Sequence, residues 1–174
     1  MSLRQPQIPA RAKVLANILV GSNRATSSAG RSAPLRTPED GIRFHQVRAL
    51  AKAIIIGGNT LRNEPYKKAP LPVFVASSRL TPIQDEKHFV ANLSPKELIA
   101  LALEKVGAPV LIEGGINFLH PLIEDRVIDA LLITRTPISG DADFWDDELL
   151  RRNYELISDE NASESKFEIW SPKP

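Results

Sequence analysis

Val110-Leu111-Ile112-Glu113-Gly114-Gly115-Ile116-Asn117-Phe118-Leu119 is an apolar run that stops at a carboxylate and two glycines, and an amphipathic segment follows at once. This pattern predicts a buried strand, a tight turn and the N-terminus of a helix. Glycines at the turn remove the Cβ atoms that would hold a ligand away, and the unpaired N–H groups that open a helix suit a phosphate. The same logic recurs upstream, where Ala53-Ile54-Ile55-Ile56 runs into Gly57-Gly58-Asn59-Thr60. Two glycine-bearing strand ends in one small chain predict a crevice for a dinucleotide or another phosphorylated molecule.

The chain has 174 residues, enough for one domain with a sizeable core and thin for two. One domain over residues 1–174 is expected, with residues 1–11 flexible. Hydrophobic residues make up 43% and charged residues 25%, a soluble globular composition. The net charge of +1 comes without a basic block, so nucleic acid gets no electrostatic support as a partner. Cysteine is absent, which excludes disulfides, a thiolate nucleophile and Cys-ligated metal, and fits a reducing cytoplasm. His45, His88 and His120 are far apart without ligand spacing, and no metal site is expected. The opening Met1-Ser2-Leu3-Arg4-Gln5-Pro6 lacks a signal-peptide core, and no run is long enough to span a membrane.

Lys13 to Val20 reads as a first strand, and Gly21 to Arg36 as a long Ser, Gly, Ala and Arg-rich loop. Thr37 as N-cap, Pro38 at N1 and the acidic Glu39 and Asp40 then open a helix, with Phe44, Val47 and Ala51 as its apolar stripe. Strands follow at Ala53–Ile56 and Pro72–Ala76, with a short one at His88–Val90. Ser94-Pro95-Lys96-Glu97 is a capping box for a helix ending near Val106 at Gly107. After Pro109–Ile112 come a helix from Ile116 to Glu124 and a strand from Ile128 to Thr136. A helical piece at Asp146–Arg151 and strands at Tyr154–Ile157 and Phe167–Trp170 complete the chain. The early alternation implies a twisted, mainly parallel sheet with helices on both faces, closed by antiparallel C-terminal strands. Ligands of such sheets sit beyond the carboxyl ends of the strands.

The ordered set of pieces resembles the reductase domain of bacterial riboflavin biosynthesis, a family with the dihydrofolate-reductase-like fold. The resemblance rests on Asn17-Ile18-Leu19-Val20, Gly30-Arg31-Ser32, Val47 to Ala51, Ile54 to Arg62, Glu64 with Tyr66, Val73 to Arg79, Leu111 to Gly115, Val127-Ile128-Asp129 and Pro137 to Gly140. It implies reduction of a phosphorylated ribosylamino-pyrimidine with NADPH, by a homodimer. The zinc deaminase domain often fused to that reductase has no stretch here to occupy, and its His/Cys/Cys ligands are absent. Where the family usually reads Ser-Leu-Asp-Gly, this chain has Gly21-Ser22-Asn23-Arg24, so the acid becomes Asn23 and the turn glycine Arg24. Ala130 likewise replaces an acidic neighbour of Asp129. The loop Arg62-Asn63-Glu64-Pro65-Tyr66 resembles the branch of the family that carries a Glu and a Tyr there. A reductase of another small molecule, or a binding protein that has lost the acid, are the alternatives these departures leave open.

Site roles follow from the resemblance. Gly114 and Gly115, with the N–H groups of Ile116 and Asn117, would hold the cofactor pyrophosphate; the plainer reading is a tight turn. Gly57, Gly58, Asn59 and Thr60 would pass the nicotinamide and its ribose, or only start a helix. Ser77, Ser78 and Arg79 have the hydroxyls and guanidinium for the 2′-phosphate of NADPH, or form a solvated loop. Glu64 would relay a proton to the substrate, with Glu113 second; either carboxylate has a plainer role, in solvent or tying down loop N–H groups. Asn17 would satisfy buried backbone and touch substrate or nicotinamide. Asn23, Arg31, Arg62 and Tyr66 would meet the substrate, with Arg36 a further candidate for its phosphate.

Overall fold

The computed structural model describes residues 3–64, 66–81, 83–84 and 87–174; Met1, Ser2 and Pro65 lie outside the described residues. The first strand, β1 (Val14–Val20), is buried on both faces, as its nearly continuous apolar run requires. The expected long loop after it is partly ordered. A short strand β2 (Ala25–Ser27) pairs antiparallel with β9 (Ala142–Phe144), forming a two-stranded flap that the sequence reading missed. Arg24 precedes β2 with φ of +68°, in the left-handed region that a glycine favours. Its carbonyl accepts a hydrogen bond from Trp145 N–H at 2.8 Å, which anchors the flap to the body.

Thr37 caps α1 (Pro38–Arg48), its hydroxyl accepting from Asp40 N–H at 3.2 Å. The expected stripe holds at Val47 and Ala51, which are buried, but not at Phe44. Asp40, Arg43 and Val47 point inward, three and four residues apart, whereas Phe44 borders a cleft. Then come β3 (Ala53–Gly57), the short α2 (Gly58–Asn63), β4 (Val73–Ala76), β5 (Ile83–Gln84) and β6 (His88–Ala91). Both halves of the capping box are made at Ser94 and Glu97 as α3 (Pro95–Val106) begins. The decisive stretch folds as read, into β7 (Val110–Ile112) and α4 (Ile116–Glu124). The remainder comprises β8 (Ala130–Arg135), α5 (Asp147–Asn153), β10 (Tyr154–Ala162) and β11 (Ser165–Pro172), the last two longer than predicted.

Among the described residues, nine strands form one sheet in the order β10-β11-β8-β1-β7-β3-β4-β6-β5. The six strands from β8 to β6 run parallel, and β11 closes antiparallel on β8. β7 inserts between β1 and β3, which are consecutive in the central sheet by chain order, and this sets the carboxyl ends of β7, β3 and β4 side by side. One face of the sheet packs on α3, α4 and α5, where Leu98, Leu119 and Leu149 meet Val14, Ala16 and Ile18. The other face packs on α1 and the turn after it, where Val47 and Ala51 meet Leu15, Leu111 and Leu132.

Along Leu3–Arg11 there is no helix or strand; Leu3 C=O accepts from Gln46 Nε2 and Arg4 N–H donates to Glu160 Oε1, both at 3.3 Å. No helix among the described residues is long and apolar enough to cross a membrane.

A non-glycine residue in the left-handed region carries strain of about 1 kcal/mol. Arg24→Gly is therefore expected to stabilise the fold by about that amount in urea denaturation. A loss of stability would mean that the Arg24 side chain contributes more than its backbone costs.

Candidate functional site

A cleft of about 570 Å³ opens at the carboxyl ends of β7, β3 and β4 and is walled on its far side by α1 and the segment Thr26–Arg36. Gly57 and Gly114, from the two glycine-bearing strand ends, both line it. The closeness is built into the backbone: Glu113 N–H donates to Ile55 C=O at 3.0 Å, and Gly57 pairs with Ala76.

Each glycine answers a different demand. A Cβ at Gly58 would sit 2.7 Å from Ser77 Oγ, so that position lets two strand ends touch. A Cβ at Gly114 would meet Phe118 at 2.9 Å, so the second glycine lets α4 fold back over its own strand. Gly115 has nothing within 4 Å of its Cβ direction. It is the N-cap of α4, with no side chain covering it. The first intrahelical bonds run from Phe118 and Leu119 N–H to Gly115 C=O, which leaves the Ile116 and Asn117 N–H groups at the open end of the helix, where both residues line the cleft. An open helix start of this kind suits an anion.

Glu113 is nearly sealed, with its side chain 4% exposed. Arg48, from the last turn of α1, donates Nε to Oε1 at 2.8 Å and Nη2 to Oε2 at 2.7 Å. Tyr66 O–H donates to Oε2 at 2.7 Å. Burial, and then the Glu113 charge, push the Tyr66 phenol well above its usual range, so it stays a donor. The plainer reading of Glu113 as a tie therefore fits better than a chemical one, although its partners are side chains and not loop N–H groups. Tyr66, expected at the substrate, is likewise held in this network at the edge of the cleft.

The remaining expected residues divide by position. Asn59, Thr60, Arg62, Ser78 and Arg79 line the cleft, with Arg62 Nη2 bonded to Asn59 Oδ1. Ser77 lines it too, but its hydroxyl already accepts from Arg79 and Leu80 N–H at 3.2 and 3.1 Å. Glu64 lines it while Oε1 accepts from Ser32 N–H at 2.8 Å and Ser32 O–H at 3.0 Å, which pins the Gly30–Ser32 loop across the mouth.

Asn17 borders the cleft, yet among the described residues its amide has no hydrogen-bond partner; it does not satisfy buried backbone, as expected, but stands open to a ligand. Asn23 and Arg31 are not part of the cleft wall. The Asn23 amide is spent locally, donating to Gly140 C=O at 2.8 Å and accepting from Ala25 and Gly140 N–H at 3.2 Å. Arg31 is exposed, its N–H bonded to Ser28 C=O.

Sequence reasoning missed the role of Arg48 and the inward turn of Asp40. Asp40, taken as a helix-dipole acid, lies 3% exposed on the wall of the cleft. Its spacing of seven from Val47, two helical turns on the core face, was the available signal. No group of three or more His, Cys, Asp or Glu side chains that could hold a metal gathers among the described residues.

The family described as RibD C-terminal domain matches residues 23–142. No curated protein matches the chain at a significant level. Among solved structures, it is similar to a putative riboflavin biosynthesis protein from Shewanella sp. PV-4, at 20% identity and a TM-score of 0.69, over 93% of this chain and 99% of that one. It is similar to a dihydrofolate reductase from Enterococcus faecalis complexed with NADP(H) and RAB-propyl, at 16% identity and a TM-score of 0.70, over 93% and 97%. Acinetobacter baumannii RibD matches at 14% identity and a TM-score of 0.70, over 94% of this chain and 58% of that one. These likenesses establish a dihydrofolate-reductase-like fold.

Breaking a buried ion pair strands the surviving charge, at a cost of about 3 kcal/mol or more, whereas losing one neutral donor costs about 1 kcal/mol. Glu113→Gln is thus expected to lower unfolding free energy in urea far more than Tyr66→Phe. Equal, small losses would show that Arg48 finds other solvation and that the network does not hold the cleft together.

Proposed function

The chain belongs to the RibD C-terminal domain family, and on that premise we propose that it is an NADPH-dependent reductase of a phosphorylated ribosylamino-pyrimidine, as in riboflavin biosynthesis. The family likeness favours 5-amino-6-(5-phosphoribosylamino)uracil as the substrate. One observation carries the reading: the glycine ends of β3 and β7 share a cleft beside a helix start whose N–H groups are unused.

The residues fit the cofactor. The open space at Gly115 lets a pyrophosphate reach the Ile116 and Asn117 N–H groups. Gly57, Gly58, Asn59 and Thr60 line the same cleft and would hold the nicotinamide ribose. Ser78 and Arg79, both exposed at the end of β4, suit the 2′-phosphate. Bound NADPH supplies hydride; the protein supplies position and exclusion of water. Glu64 holds the Gly30–Ser32 loop over the substrate end, and Arg62 lies where a substrate phosphate can meet it.

Incubation of the purified protein with NADPH and the pyrimidine tests the reading. Oxidation of NADPH supports it. Tight binding without oxidation would favour a non-catalytic dinucleotide-binding protein, and turnover on an unrelated carbonyl compound a reductase of different substrate. Gly115 has φ of −70° and ψ of 177°, which any residue adopts. Gly115→Ala is therefore expected to keep its Tm while weakening NADPH binding at least about tenfold, or about 1.4 kcal/mol. Arg79→Ala should raise the KM for NADPH far more than that for NADH; equal effects would remove Arg79 from the 2′-phosphate.

A further inference from the structure

Two side chains behind the cleft touch each other, and each buries one polar atom without a hydrogen-bond partner among the described residues. They are His120, through Nε2, on α4, and Trp145, through Nε1, in the link between β9 and α5. Their ring centroids lie 5.6 Å apart, with the planes tilted by 54°. Buried polar atoms are nearly always paired, so two orphans in one ring contact call for an explanation.

The contact joins the two walls of the cleft. Ile116 and Asn117, at the open start of α4, line one wall, and His120 lies one turn beyond Ile116. Trp145 is 1% exposed and belongs to the core that holds Leu119 and Leu149. Its N–H donates to Arg24 C=O at 2.8 Å, the bond that fastens the flap to the body. The flap puts Thr26, Ser27 and Asp143 on the opposite wall. Asp143 has φ of +57°, while its C=O and Oδ2 accept from the Thr26 and Ser27 hydroxyls at 2.6 and 2.7 Å. A non-glycine residue keeps that backbone only while its neighbours enforce it, so the flap depends on its fastening.

One proton decides the chemistry of the contact. With the ring neutral and its hydrogen on Nδ1, the buried Nε2 is an acceptor and the Trp145 Nε1–H a donor, a complementary pair. The protonated ring carries N–H on both nitrogens, so a buried donor then faces a buried donor. On the elements packed against α4, Lys96 of α3 is paired with Asp125 at 2.6 Å, and on α5 Asp147 with Arg135 at 2.6 Å and Glu148 with Arg152 at 3.5 Å. Asp146, ahead of α5, and Glu124, on α4 itself, favour the charged ring, but burial dominates and holds the His120 pKa below its usual 6.5. The contact is therefore strongest near neutral pH and weakens as pH falls below 6.5.

We propose that His120 and Trp145 form a proton-sensitive latch on the flap: neutral His120 keeps the flap fastened against the cleft, and protonated His120 slackens it. The latch needs neither cofactor nor substrate, so it stands apart from the reductase reading.

The test uses the full chain without ligand. Amide hydrogen exchange and the His120 ring signals are followed by NMR from about pH 7.5 to about pH 5, a range that brackets an ordinary imidazole. One pKa unit is a factor of ten in an equilibrium, so protection of the β2, β9 and Trp145 amides, corrected for intrinsic exchange, is expected to fall about three- to tenfold. The fall should follow the curve that protonates His120, while the β3 and β7 amides keep their protection. His120→Gln should abolish it. A fall that survives in the folded variant would overturn the proposal. So would flap protection that is flat with pH in the wild type, or His120 titrating above 6.5, as a cation seated on the indole face would; neither result needs a variant to fold.

Discussion

The buried carboxylate of Glu113 is the point on which the cleft depends. It ends β7, it is gripped in two places by Arg48 from the last turn of α1, and it takes a third hydrogen bond from Tyr66. Those contacts join a central strand, the helix across the sheet and the segment after α2 at one spot. Because the pair is shielded from water, removing either charge is expensive, and the three elements keep their spacing. Gly114 and Gly115 follow directly, so the open end of α4 is presented at a fixed height above the sheet.

Local chemistry was legible wherever it was self-contained. Ser94, Pro95 and Glu97 specify a helix start from four consecutive residues, and the box forms as written. The run from Val110 to Glu124 likewise announces its own strand, turn and helix. What depends on distant partners was not legible. β2 and β9 are three residues each and exist only as a pair, across more than a hundred residues of chain. On α1 the buried Val47 and Ala51 were legible, but the burial of Asp40 and Arg43 was not, because a charged residue is buried only where partners receive it; Glu160, far along the chain, does so for Arg43 at 2.6 Å, and Arg36, one turn away, for Asp40 at 3.0 Å.

The site was legible in its glycines and less so in its acids. Gly57 and Gly114 come together because β7 is inserted between strands that precede it in the chain, and the expected rule for parallel sheets places ligands there. Asn23 was expected at the substrate from its place in the family pattern. In the structure its short amide instead ties the turn before β2 to Gly140, and the neighbouring Arg24 adopts a left-handed backbone of the kind glycine favours. The turn is thus held by its own local bonds, and Asn23 does not reach the cleft.

The central claim is that two glycine strand ends and one helix start form a single cofactor seat. Backbone amide shifts in a nitrogen-labelled sample titrated with NADPH test it most directly. The expected result is joint, saturable movement of the Gly57–Thr60 and Gly115–Asn117 amides with one Kd. Movement of only one group, or of neither while NADPH binds, would contradict it.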